Sequence, residues 1–171
     1  MFDFPKDAEE DVARWFAGHQ LFFVQIQVMI RLLHKFQNNP SEDILDNLTA
    51  VLLGAAVTME YTADFTGAGY QPVRVSMEEH DPNFSGTFSA DHAAMIRHFP
   101  VLNEAGKDFP EAYERFRVAL EQTYQAHAHV CERFSGDGGS LANDAGVAWE
   151  TIVGKFLPRA LRKAGFPETA S

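Results

Sequence analysis

Apolar positions recur at helical spacing over most of the chain. Between Asp7 and Gln37, the residues Trp15, His19, Phe22, Ile26, Met29 and Leu33 stand four and three apart, which stacks them on one face of a long helix. Asn38-Asn39-Pro40 ends it, and Ser41 then reads as an N-cap, with Glu42 and Asp43 where a helix start favours negative charge. A second helix runs through Leu45, Leu48, Leu52, Ala55 and Met59 towards Phe65. From Thr66 to Thr87 the period fails. Gly67, Gly69, Pro72, Pro82 and Gly86 punctuate this stretch, which predicts an ordered loop or short helical turns, with Tyr70, Val73, Val75, Met77 and Phe84 favouring order. Ser89 can cap a third helix that ends at His98 before Pro100. Asp108 and Pro110 open a fourth, whose Phe116, Leu120, His127, Cys131 and Phe134 share a face. After the loop Ser135–Ser140, a last helix carries Trp149, Ile152, Val153, Phe156 and Leu161, bent or interrupted at Pro158. No strand or internal repeat stands out. The pattern predicts an all-α helical bundle, one domain over residues 1–171.

Composition narrows the class. With 171 residues the chain can bury a real core, and 46% apolar with 22% charged residues is ordinary for a globular protein. Fifteen Phe, four Tyr and two Trp suit a tight helical core or a pocket for a planar ligand. The net charge of −10, with Lys and Arg scattered rather than striped, argues against a nucleic-acid surface. The start, MFDFPKDAEED, is acidic and lacks the apolar core of a secretory signal. Leu21–Ile30 and Ala50–Met59 read as too short to cross a bilayer, the first also broken by Gln25 and Gln27. Cys131 stands alone, so there is no internal disulfide and no cysteine-based zinc site, and a cytoplasmic location is expected.

Seven histidines are the reactive inventory. His127 and His129 diverge by about 200° around their helix, whereas His127 and Cys131 share a side. A histidine on an apolar face is ordinarily a hydrogen-bonded core residue. Two of them, His19 and His127 on separate helices among many aromatics, weaken that reading without removing it. A carboxylate-bridged metal pair would need Glu-x-x-His motifs, and Glu78-Glu79-His80 has the wrong spacing. His92 and His98, six apart, are off-phase for one zinc ion. No nucleophile elbow is present, and Gly136-Asp137-Gly138-Gly139 lacks the Lys-Ser/Thr of a phosphate loop.

The stretch His127-Ala-His-Val-Cys-Glu132-Arg133, then Gly136-Asp137-Gly138-Gly139-Ser140, then Phe156-Leu157-Pro158 resembles the C-terminal half of tryptophan 2,3-dioxygenase. That family has a heme-ligating His followed by Glu-Arg, a Gly-Thr-Gly-Gly-Ser loop and a later Phe-Phe-Pro. His19-Gln20 resembles the His-Gln of its distal helix. Met59 through Tyr70-Gln71, with Asp64-Phe65 between, is similar to its connection ending in Gly-Phe-Gln. The four segments fall in the same order. This chain departs from the family in being much shorter, in a Gly loop nearer the His, in Asp137 for Thr, and in Arg74 lying only near the substrate-carboxylate position. His127-x-x-x-Cys131 also resembles the heme-dependent tyrosine hydroxylases of the same superfamily, whose further upstream His has a loose match in His92.

The resemblance implies heme b, with iron on His127 and with Cys131 and Arg133 beside the macrocycle. It makes His19 the distal catalytic residue. It places Trp15, Phe23, Tyr70, Arg74, Asp137, Gly138 and Ser140 around substrate, with Asp137 suited to an ammonium group. The expected activity is oxygen insertion into a small amino-acid-derived indole or phenol, as the family's substrates are, using O2 or H2O2. The alternatives are hydroxylation of the tyrosine hydroxylase type, a heme-binding sensor or carrier without turnover, and a plain helical interaction domain. A homodimer or homotetramer is the expected assembly.

Overall fold

A computed structural model describes residues 6–65, 90–135 and 152–166, together with Gly69, Pro72 and Val75, which are helical in conformation. Helix α1 spans Lys6–Asn38 and α2 spans Glu42–Thr62. Ser41 caps α2 in extended backbone, its hydroxyl accepting the Ile44 N–H at 3.4 Å. Helix α3 is Ala90–His98, and α4, Val101–Ala105, leads through a 3₁₀ turn at Gly106–Asp108 into α5, Pro110–Ser135. A π turn at Ile152–Phe156 runs into α6, Leu157–Ala164. Among the described residues there is no strand, and the architecture is an all-α bundle.

Helix α2 lies between α1 and α5 and makes its broadest contacts with both, while α3 packs across α1. The apolar stripes read from the sequence are the ones that meet. Leu33 and Phe36 of α1, Leu45 and Leu48 of α2, and Phe116 and Leu120 of α5 are fully enclosed, joined by Phe99 and Leu102. Each such side chain stabilises the fold by about 1.5–3 kcal/mol relative to exposure. The buried Thr123 hydroxyl of α5 donates to the Leu52 carbonyl of α2 at 2.9 Å, which fixes the two helices in register. Tyr113 of α5 holds the C-terminal part, stacking on Phe166 with centroids 4.2 Å apart and donating to the Ala164 carbonyl.

Three readings of the sequence change. The interruption expected at Pro158 is displaced: the π turn precedes it, and Pro158 sits in the first turn of α6, where a missing N–H costs no hydrogen bond. Val101–Ala105 forms a helix too short for any period to reveal. The apolar runs around Leu21–Ile30 and Ala50–Met59 belong to longer helices, Glu9–Asn38 and Glu42–Thr62, each long and apolar enough by length and composition to cross a membrane. The sequence reading counted only the uncharged runs and took Gln25 and Gln27 to break the first, whereas the low charge of the flanking turns extends the apolar window. The cap at Ser89, the loop at 136–140 and Trp149 lie outside the described residues.

Candidate functional site

The fold gathers three histidines from three helices: His19 of α1, His92 of α3 and His127 of α5. The first follows from a spacing of four, which lines Trp15, His19 and Phe23 along one side of α1. Trp15 is buried, and its ring lies on that of His19 with centroids 4.2 Å apart. Phe65 meets Trp15 edge-on at 6.0 Å. His19 Nδ1 lies 2.9 Å from the Trp15 carbonyl oxygen. A carbonyl only accepts, so Nδ1 carries the proton and Nε2 keeps its lone pair. Burial lowers the pKa of His19 and the carbonyl contact partly offsets this, so the ring is neutral at pH 7.

His92 is partly buried, and its Nε2 lies 3.2 Å from the Tyr124 hydroxyl, the two rings meeting edge-on. Burial lowers the pKa of His92 and raises that of Tyr124, so a neutral imidazole faces a phenol that keeps its proton. Tyr124 lies three residues before His127, one turn back on α5. His127 is the most perturbed of the three. Burial, then the nearness of His92 and of His19, push its pKa down to about 4. His92 and His19 are therefore close enough to disfavour a charge on His127. Even so, among the described residues no group of three His, Cys, Asp or Glu side chains is placed to hold a metal ion.

The site residues read from the sequence divide three ways. Trp15, His19 and Phe23 share a side of α1, with Phe23 37% exposed and so open to a ligand. His127 joins His19, while His129 faces solvent. Cys131 and Arg133 continue the α5 backbone one to two turns beyond His127. Tyr70, Arg74, Asp137, Gly138 and Ser140 lie outside the described residues. Sequence reasoning gave His92 only a loose place and missed Tyr124. Its signal was the separation of three from His127, which puts it on the same side of the helix.

A family model for the SfmD 3-methyl-L-tyrosine peroxygenase matches residues 2–116, well over half of the chain. The chain belongs to this peroxygenase family. His19 and His92 lie within the matched region and His127 beyond it. A 3-methyl-L-tyrosine peroxygenase of Streptomyces lavendulae is 25% identical over 189 residues, covering 96% of this chain and 49% of the relative. The alignment with that peroxygenase thus runs past residue 116, and the chain spans about half the relative's length. The relative's name contains an aromatic amino acid, in keeping with the substrate class the sequence implied. No solved structure matches the chain.

Proposed function

We propose that this chain is a heme-dependent peroxygenase that hydroxylates a phenolic amino acid, with His127 as the iron ligand. The observation that carries the reading is the His127 environment, in which a neutral imidazole lies near two more from other helices. A neutral imidazole is the form that ligates iron, so this donor set fits heme. Membership in a peroxygenase family supports the reaction class, and the resemblance to the tryptophan dioxygenase superfamily supports the cofactor and fold type. When bound, heme supplies the redox chemistry by which one oxygen of peroxide enters the ring and the other leaves as water.

The chain's own residues do the rest. His19 presents an unprotonated Nε2, held in place by its Nδ1–H and by the tilted ring contact with Trp15. It accepts a proton from peroxide or from the substrate hydroxyl. Phe23, one turn on, gives the substrate ring an apolar contact. Tyr124 holds the His92 ring in a fixed orientation.

The test is expression with iron and a heme precursor, followed by spectral titration with phenolic amino acids and indoles and by turnover with peroxide. The reading expects a Soret band, a spectral change with the phenol, and a product heavier by one oxygen atom. His127→Ala should lose the band. A wild-type spectrum at full occupancy in that variant removes His127 as ligand. Heme binding without spectral change or turnover on any substrate leaves a carrier.

A further inference from the structure

Helices α1 and α2 are antiparallel and closely paired. Gln25 Nε2 donates to the Thr58 hydroxyl at 3.0 Å, and a Cβ on Gly18 would fall 1.8 Å from Thr62 Oγ1. On the outward side of this seam lie Leu21, Val24 and Val28 of α1 and Leu53, Val57 and Tyr61 of α2. Their spacings of three and four put each trio on one stripe. Arg14 of α1 stands over the Tyr61 ring at 5.8 Å, which joins the two stripes into one surface. All six side chains are between 37% and 65% exposed.

We propose that this α1–α2 face joins two copies of the chain about a twofold axis. Six large apolar residues, each 37–65% exposed, together offer on the order of 500 Å². That is the upper end of what a monomer leaves bare. With the neighbouring Ala17, Gln20, Gln27 and Ala50, all exposed, it approaches the roughly 800 Å² per partner of a stable interface. Two antiparallel stripes of like apolar side chains are self-complementary under twofold rotation, so a second copy completes a four-helix arrangement. A lipid surface fits less well. Helix α2 contains no Lys or Arg, and exposed Glu60 and Asp64 flank Tyr61 in a chain of net charge −10. Leu21 and Val24 lie about 200° and 140° around α1 from His19, so the interface leaves the histidine side open.

The mass of the full chain in solution tests this at roughly 50 µM, where an interface of this kind is populated. Twice 19.1 kDa is expected, falling to 19.1 kDa for Val57→Glu with Leu53→Glu. Val118→Glu, at an exposed position on α5, should keep the doubled mass. Both substituted faces are exposed, so helical circular dichroism should not change. If the Glu variants do lose helicity, Val57→Gln removes apolar area without adding charge and should still weaken association. A monomeric wild type overturns the proposal. So does a dimer indifferent to substitution at positions 53 and 57, or a monomer that instead sediments with phosphatidylcholine–phosphatidylglycerol vesicles.

Discussion

His19 owes its chemistry to one hydrogen bond. With Nδ1–H committed to the Trp15 carbonyl, its tautomer is set and Nε2 is a base aimed away from its own backbone. His19→Gln keeps a polar group but has no comparable basicity. Under the proposed function it should retain heme while turnover falls by about 10²–10⁴-fold. Wild-type turnover in purified His19→Gln would return the residue to a packing role. Tyr124 makes a different prediction. Tyr124→Phe keeps the buried ring and removes the hydroxyl facing His92, so the apoprotein should lose about 0.5–1.5 kcal/mol in urea denaturation. An unchanged midpoint would mean that the 3.2 Å contact contributes nothing. The two residues also mark what could be read from sequence. His19 stood out as a polar break in an apolar stripe. Tyr124 did not, because a tyrosine on an apolar helix face is ordinarily core, and only its meeting with a residue 32 positions away gives it a second role.

At the scale of elements, the stripes of α1, α2 and α5 were legible because each repeats over several turns, and the cap at Ser41 because its side chain acts locally. Val101–Ala105 and the π turn before Pro158 were not, since neither is long enough to show a period. The approach of α1 to α2 was equally hidden, because it depends on the absence of a side chain. At Gly18 a methyl group would meet the Thr62 hydroxyl, which is itself bonded to the Thr58 carbonyl at 2.5 Å. Gly18→Ala therefore sets two effects against each other. Alanine gains about 1 kcal/mol of helix propensity, while overpacking costs typically 1–3 kcal/mol. The contact is too close for side-chain rotation alone to relieve, so net destabilisation is expected. Because residue 18 precedes His19, the same shift should disturb the histidine cluster. Thr62→Ala removes the clashing atom, and the double variant should recover most of the loss, a coupling that thermal melts of the four proteins would measure. Equal stability of wild type and Gly18→Ala would show that the seam has slack.

For the whole molecule, charge and burial pull acid stability in opposite directions. The chain carries −10, so acidification first relieves repulsion among carboxylates, and that diffuse effect is screened by salt. The histidine cluster acts the other way. In the folded apoprotein His19, His92 and His127 all have lowered pKa values, His127 about 4 against an ordinary 6.5. Between those two values the unfolded chain binds more protons than the folded one, so stability falls as pH drops from about 6.5 towards 4 and levels off on either side. A shift of that size corresponds to about 3 kcal/mol for His127, with His19 and His92 adding in the same direction. At high salt, where carboxylate repulsion is suppressed, the apoprotein's unfolding free energy should therefore decline through this window. His127→Gln, which cannot titrate, should flatten much of the slope while leaving the carboxylate contribution intact. A slope unchanged by the substitution would place the acid sensitivity in other groups and would mean that His127 meets water more freely than its surroundings imply.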